Sequence, residues 1–268
     1  MLFQPSALTG SLFLVLILCQ SPAALATCVA GALGSTLCAS LLERPEETYF
    51  KGLGGFNGGL VGLALPALFQ FSGSLLLVAL AGGVLTGLVR AVMLRTLLVP
   101  SFTVPFIVIT WLGSAAGGAI GLLPADTTIA PYLPNPYALL TNSSQVLFLD
   151  DPWTGALVLV AVLLHSRTAA AWVAAASAIA WLTTVALHFP HDLTSAGLLG
   201  YNGLVLAAAL QHRTISPSLA AAGVVLTVCL SYLSFEAGIA PLSMPFVVSA
   251  WVVIILDKKL VARPRRAG

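Results

Sequence analysis

Two short motifs that combine aromatic and polar side chains each occur twice in this chain. Phe56 lies in the segment Gly-Phe-Asn-Gly, and Tyr201 lies in Gly-Tyr-Asn-Gly. Thr103 begins Thr-Val-Pro-Phe, and Ser243 begins Ser-Met-Pro-Phe. A hydroxyl group both donates and accepts hydrogen bonds, and an aromatic face accepts N–H groups weakly. These residue types therefore suit the binding of a small polar molecule, once the fold brings them together.

Residue types that make and break covalent bonds are poorly placed for catalysis. The four histidines fall at the ends of apolar segments, and the four cysteines fall inside apolar runs. Catalysis within a membrane needs convergent groups at depth, such as paired Asp or Ser with His. His188, His191 and Asp192 are too few ligands for a metal site, and apolar surroundings are typical of packing cysteines. We therefore predict neither an enzyme nor a bound metal or cofactor.

The composition places the chain in a lipid bilayer. Of its 268 residues, 59% are hydrophobic and 7% are charged, and the mean hydropathy is +1.02. A soluble domain carries roughly 25% charged residues, so a surface this poor in charge must face lipid. The net charge of +2 is too small to indicate a nucleic-acid partner. We predict an all-α polytopic membrane protein.

The elements that position the motifs are predicted to be membrane-spanning helices. A helix needs about 20 apolar residues to cross the hydrocarbon core. Charges, prolines and glycine clusters divide the chain into ten candidates, of which the first and sixth are short. They cover residues 7–20, 22–42, 52–70, 73–95, 99–121, 153–165, 168–188, 196–211, 215–234 and 238–256.

The positions of the basic residues predict the orientation. Lysines and arginines near helix ends tend to remain on the cytoplasmic side. With a cytoplasmic C-terminus and ten spans, all eleven Lys and Arg fall on that side. The opposite loops carry acidic residues and histidines. We predict a multi-pass membrane protein whose basic tail, residues 258–268, is cytoplasmic.

The two halves of the chain resemble each other. The aromatic motifs lie 145 residues apart, as do Thr9 and Thr154, and the hydroxyl motifs lie 140 apart. Each copy contains five spans, an odd number, so the second copy must enter the membrane from the opposite side. Inverted repeats place their substrate site near the bilayer midplane. We predict a first repeat at 1–124, a linker at 125–136, a second repeat at 137–257 and the tail.

Residues 137–148 precede the first span of the second repeat and are too short and too polar to span. They form either a surface helix or a re-entrant half-helix. Irregular backbone at membrane depth is tolerated where it lines a cavity or is buried in protein. Gln145 and Phe148 lie three residues apart, on one helix face, and lead directly into the next span. We favour the re-entrant half-helix.

These motifs together resemble the urea transporter family, in its bacterial form. The resemblance includes the paired Gly-[Phe/Tyr]-Asn-Gly and [Thr/Ser]-x-Pro-Phe motifs, Gln-Val-x-Phe from Gln145, and Asp-Pro-x-Thr-Gly from Asp151. It implies a homotrimer in the plasma membrane, the bacterial inner membrane, with one urea-conducting pore in each protomer. That pore would be a narrow slot along the repeat interface, with two half-helices, aromatic walls and central hydroxyls.

The resemblance also implies a role for particular residues of this chain. Gln145 would cap the pore, Thr103 and Ser243 would be the central hydroxyls, and the walls and their packing partners would be Phe148, Phe3, Phe56, Tyr201, Leu60 and Val205. Tyr201 stands where Phe is commoner, and Ser243 where Thr is commoner. The counterpart of Gln145 in the first repeat would precede Met1. We therefore expect an upstream extension of roughly ten to twenty residues, the length of a short half-helix.

The predicted transport is passive. Proton relays and ion coupling usually need a charged side chain inside the membrane, and the predicted spans carry their charges at the ends. The main alternative is a channel for another small neutral solute, such as short amides, ammonia or water. The chain lacks paired Asn-Pro-Ala motifs, which would resemble the aquaporins. It also lacks a pair of membrane-buried histidines, which ammonia conduction would suggest. An inverted repeat with half-helices argues against a non-transporting scaffold.

Overall fold

The computed structural model describes residues 6–42, 52–96, 99–125 and 135–261. These residues form α-helices and short 3₁₀ turns, with one isolated bridge between Phe69 and Pro124. The predicted all-α class is therefore confirmed. The described residues fall into two compact units, 6–125 and 135–261.

The first unit contains five helices. A 3₁₀ turn, Gly118–Ile120, follows the fifth. The helices are α1 (Ala7–Gln20), α2 (Pro22–Leu42), α3 (Leu53–Leu68), α4 (Gly73–Thr96) and α5 (Val104–Ala116).

At several glycines, the backbone of α2 is in direct contact with the backbones of α3 and α4. A Cβ added at Gly31 would lie 2.1 Å from the carbonyl oxygen of Gly58 on α3, and one added at Gly83 on α4 would lie 2.1 Å from the oxygen of Gly31. At Gly62 a Cβ would lie 2.1 Å from the oxygen of Thr27. Small residues permit such close packing between membrane helices, and here they fix the position of α3.

The second unit contains seven helices, two of them short. The helices are α6 (Ala138–Ser144), α7 (Pro152–His165), α8 (Arg167–Ala186), α9 (His191–Ser195), α10 (Tyr201–Leu210), α11 (Pro217–Glu236) and α12 (Met244–Val261). The segment Ala138–Leu147 meets α7 at an angle of 75°. The intervening turn contains Phe148, whose φ is 58°. This bent pair agrees with the predicted half-helix that leads into a span.

Helix caps recur at the spacing predicted from the sequence. α1 and α7 each have 14 residues and begin 145 positions apart. The Ser6 side chain accepts from the backbone N–H of Thr9, and Asp151 accepts from that of Thr154. Such caps satisfy N–H groups that lack a partner in the first helical turn. The two units therefore share local structure, while the inverted relation between them stays a prediction.

Several helices are long and apolar enough to cross a membrane. Within the described residues, α2, α4, α8 and α11 meet this condition singly, and the bent pair meets it together. The apolar helices α1, α3, α5 and α10 are shorter. The chain is thus a multi-pass membrane protein by length and composition. The expectation that the first and sixth spans are short is confirmed by the 14 residues of α1 and α7.

The predicted boundaries fail at three helix starts. The fifth span was expected from residue 99, but α5 begins at Val104; the tenth was expected from 238, but α12 begins at Met244. The eighth was expected from 196, but α10 begins at Tyr201. The first two delays have a common cause, because Phe102 and Leu242 adopt positive φ values of 43° and 45° and interrupt the helical backbone.

One charged side chain lies deeper than expected. Arg90 was placed at a helix end, but it lies six residues before the end of α4 and is 5% exposed. Its Nη1 donates to the carbonyl oxygen of Leu53 at 3.5 Å. The guanidinium therefore contacts the start of α3, the helix that carries the first aromatic motif.

Candidate functional site

In the first unit, α3 carries the predicted wall residues Phe56 and Leu60. They lie four positions apart and therefore share a helix face. Phe56 is half-buried and Leu60 is buried. Their neighbour Asn57 is 2% exposed, and it directs its side chain to the start of α5.

Asn57 joins α3 to the turn that contains Thr103. Its Nδ2 donates to the carbonyl oxygen of Phe102 at 3.2 Å, and its Oδ1 accepts from the backbone N–H of Phe106 at 3.2 Å. The first N–H groups of a helix have no partner within the helix, so the second bond satisfies one of them. These bonds agree with the interpretation of Asn57 as a structural residue.

The turn itself has an unusual backbone. Phe102 has φ 43°, a left-handed value that non-glycine residues seldom adopt. The N–H of Val104 donates to the carbonyl oxygen of Ser101, and that of Ile107 to the oxygen of Thr103. Thr103 is 1% exposed and occupies the N-cap position of α5. The turn thereby places a hydroxyl at the end of an apolar helix.

The second unit builds the same turn. Asn202 Nδ2 donates to the carbonyl oxygen of Leu242 at 3.0 Å, and Leu242 has φ 45°. The N–H of Met244 donates to the carbonyl oxygen of Pro241, and Ser243 is 7% exposed. The bond from the asparagine Nδ2 and the positive φ match the first unit at the predicted offsets. The units differ at the other amide atom: Asn57 Oδ1 accepts from Phe106, whereas in the described part of the chain the buried Asn202 Oδ1 has no hydrogen-bond partner.

Tyr201 adds one contact that the first unit lacks. Its hydroxyl donates to the carbonyl oxygen of Leu242, the same atom that Asn202 binds. A carbonyl oxygen has two lone pairs and can accept both bonds. The ring is half-buried, and Val205, one turn further along α10, is buried. The Tyr201 hydroxyl therefore links the Tyr201 ring to the turn before Ser243 by a hydrogen bond.

The short helix α6 is held by hydrogen bonds to α8 and α9. Thr141 Oγ1 donates to the carbonyl oxygen of Ser195 at 2.7 Å. Asn142 Nδ2 donates to Ser177 Oγ at 3.1 Å, and Ser177 Oγ donates to the oxygen of Leu139 at 2.8 Å. Thr141 and Asn142 are thus buried with hydrogen-bond partners, whereas the buried Ser143 Oγ has none among the described residues.

Close packing completes the support of the half-helix. A Cβ added at Gly155 of α7 would lie 2.0 Å from the carbonyl oxygen of Leu140. Gly197, which has φ 77°, lies against Thr141. α10 contacts both α6 and the 3₁₀ turn Gln145–Leu147. The second unit therefore brings Gln145 and its turn to the helix that carries Tyr201.

The family model described as "UT: Urea transporter" matches residues 1–258. The chain belongs to the urea transporter family. Sheep (Ovis aries) "Urea transporter 1" is 26% identical over 287 residues, which cover 96% of this chain and 74% of the relative. The mouse (Mus musculus) protein of the same name is 30% identical over 229 residues, which cover 78% of this chain and 59% of the relative.

Membership of the urea transporter family indicates a transporter rather than an enzyme. Within the described ranges, no group of three His, Cys, Asp or Glu side chains is placed to hold a metal ion. The four cysteines are free thiols, of which Cys28 and Cys38 are buried.

Each unit of this urea transporter family member thus assembles its own share of the predicted site residues. The first unit links the helix of Phe56 and Leu60 to Thr103, and the second links that of Tyr201 to Ser243. Phe3 lies outside the described residues. Sequence reasoning missed Phe102 and Leu242, whose carbonyl groups receive the asparagine bonds. Neither residue is a glycine or an asparagine, so no residue type marked a left-handed position there.

Proposed function

We propose that this protein conducts urea passively across the membrane, through one narrow pore to which both repeats contribute. Family membership and the relatives named "Urea transporter 1" support urea as the solute. The observation that carries the proposal is the turn that occurs in both units. In each, an asparagine next to an aromatic ring holds the turn before a buried hydroxyl residue, Thr103 or Ser243.

These residue types match the chemistry of urea. Urea is small, planar and neutral, and its N–H groups and oxygen lie along its edges. Losing water from one such group without replacement costs roughly 2–7 kcal/mol. Thr103 and Ser243 each donate and accept hydrogen bonds, so they can replace water at the centre. The rings of Phe56 and Tyr201 suit the flat faces, which form few hydrogen bonds.

The half-helix supplies a polar group at one end of the proposed pore. Gln145 ends α6 and is half-buried, and its turn contacts α10. Its amide oxygen accepts hydrogen bonds and therefore suits the N–H groups of urea. Phe148 follows in a left-handed conformation, which turns the chain before α7 begins. We propose that Gln145 and Phe148 cap the pore from the second repeat, and that Leu60 and Val205 pack beside its walls.

Passive conduction is also consistent with the contacts of Arg90, the one charged side chain that is buried among the described residues. Its Nη1 donates to the Leu53 carbonyl oxygen, so the guanidinium is engaged with the backbone at the start of α3. We further propose an inverted relation between the repeats, a homotrimer with one pore in each protomer, and a bacterial inner-membrane location. The basic residues near the C-terminus support a cytoplasmic tail.

Stopped-flow light scattering on proteoliposomes tests this proposal. Urea, methylurea, acetamide and water are compared under the same osmotic gradient, with empty liposomes as the baseline. We expect urea flux well above that baseline, no saturation at low millimolar urea, and no change when sodium or a proton gradient is imposed. Urea flux equal to that of empty liposomes would overturn urea as the solute. Saturation together with sodium or proton dependence would overturn the channel mechanism.

A further inference from the structure

A cavity of about 420 Å³ lies in the second unit, where the connection between α10 and α11 meets the C-terminal part of α12. Its lining combines buried and exposed side chains. Ile215 and Ile254 are buried and form an apolar floor, while Arg213, Thr214 and Lys258 are exposed. Asp257, which is half-buried, completes the lining. The cavity therefore has a charged rim above an apolar base.

Along α12, exposed apolar side chains are followed by charged ones, which indicates that this cavity lies at the boundary of the membrane. Val252, Ile255 and Leu256 are apolar and are 38%, 44% and 43% exposed. Exposed apolar side chains on a membrane helix face hydrocarbon, whereas charged groups reach the headgroup region. Asp257 and Lys258 follow directly. With α12 as the predicted tenth span, the rim lies at the level of the phospholipid headgroups, on the side of the C-terminus.

The charges on the rim form a particular pattern. Arg213 and Lys258 are two cations, Asp257 is one carboxylate, and Thr214 adds a hydroxyl. In the part of the chain that the structure describes, Arg213, Asp257 and Lys258 form no ion pair with one another. A guanidinium and an ammonium suit a phosphate group. The carboxylate suits a hydrogen-bonding cation in the same ligand.

We propose that this cavity binds the headgroup of a phospholipid that carries both a phosphodiester and a primary ammonium group. The phosphate lies between Arg213 and Lys258, and the ammonium donates to Asp257. The glycerol backbone rests on Ile215 and Ile254, and the acyl chains follow the exposed apolar residues of α12. Every charge on the rim then has an opposite charge in the ligand.

Other ligands of related chemistry fit the cavity less well. An anionic headgroup without an amine leaves the Asp257 carboxylate beside a phosphate with no cation to bind. A quaternary ammonium has no N–H to donate, so it forms no hydrogen bond to that carboxylate. Free phosphate makes no use of the apolar floor. The carboxylate therefore decides the class of lipid, and the two basic residues decide that a phosphate is bound at all.

Native mass spectrometry of the full-length protein in detergent tests this site. Phosphatidylethanolamine, phosphatidylcholine and phosphatidylglycerol with identical acyl chains are titrated, and inorganic phosphate is added in a separate arm. We expect the ethanolamine lipid to bind most tightly and millimolar phosphate to leave it bound. Arg213→Gln should weaken binding of all three lipids about fivefold, the effect of one basic residue near a membrane surface. Asp257→Asn should remove the preference for the ethanolamine lipid.

The matched control is Arg167→Gln, which removes an exposed arginine at the start of α8 that does not line the cavity. It should leave all three affinities unchanged. Equal binding of the three lipids by the unmodified protein would overturn the proposal. So would equal losses in Arg213→Gln and Arg167→Gln, or displacement of the lipid by phosphate alone. Because urea flux is not the readout, these outcomes are independent of the proposed transport function.

Discussion

Replacing Gly155 with alanine should displace the half-helix α6. A Cβ at this position would lie 2.0 Å from the carbonyl oxygen of Leu140, whereas ordinary van der Waals contact begins at 3.4 Å. The contacting atom belongs to the backbone, so no side-chain rotation relieves the overlap. The backbone of α6 must therefore move about 1.4 Å away from α7, which is the shortfall between these two distances.

This movement breaks the bonds that hold α6. Thr141 and Asn142 donate at 2.7 and 3.1 Å to Ser195 and Ser177, and a displacement of this size is enough to lose the distance or angle that each bond needs. Overpacking costs about 1–3 kcal/mol, and each lost bond costs about 0.5–1.5 kcal/mol. We expect a total loss of roughly 2–6 kcal/mol, together with displacement of Gln145 and reduced urea flux.

The matched control is Gly10→Ala at the corresponding position of the first unit. There, an added Cβ meets nothing within 4 Å, and alanine is favoured over glycine inside a helix by about 0.5–1 kcal/mol. Thermal unfolding followed by tryptophan fluorescence should therefore show a lower Tm for Gly155→Ala and an unchanged or higher one for Gly10→Ala. Wild-type Tm and flux in Gly155→Ala, or equal losses in both variants, would refute this reasoning.

Three further substitutions test individual contacts. Tyr201→Phe removes one of two donors to the Leu242 carbonyl oxygen, so it should lower stability by about 0.5–1.5 kcal/mol and retain urea flux; abolished flux would contradict this. Asp151→Ala removes the cap that Thr154 binds and should cost about 0.5–2 kcal/mol, which Asp151→Asn should largely restore in thermal unfolding. Asn57→Leu removes the hydrogen bonds to the Phe102 carbonyl oxygen and the Phe106 N–H, at about 0.5–1.5 kcal/mol each; size-exclusion chromatography should show aggregation, and a monodisperse, fully active variant would count against the bridge.

Helix starts show how far the sequence predicts this fold. The starts of α1 and α2 were predicted at the residues where the structure has them, because prolines mark these breaks in the sequence. The structure adds side-chain caps at Ser6 and Ser21. The starts of α5 and α12 were not predicted correctly. Phe102 and Leu242 are held in a left-handed conformation by hydrogen bonds from a distant helix, and such tertiary bonds leave no local signal.

The residues of the candidate site were likewise predicted only in part. Pairing of the motifs indicated Thr103 and Ser243 as equivalent residues, and the structure gives both the same turn. A short helix before Gln145 was also predicted, because the polarity and length of this segment exclude a span, and α6 lies there. The residues that hold it were not predicted. Asn142 and Ser177 meet across 35 positions of sequence, and neither residue type nor spacing indicates that contact.

The most direct test of the account measures urea flux in the double variant Thr103→Val, Ser243→Ala. Both changes remove a hydroxyl while keeping similar volume, and the single variants serve as intermediates. If these hydroxyls replace water around urea at the centre of the pore, flux should fall to the level of empty liposomes while Tm and chromatographic behaviour remain those of the unmodified protein. Unchanged urea flux in a folded double variant would contradict the claim that Thr103 and Ser243 lie on the path of urea.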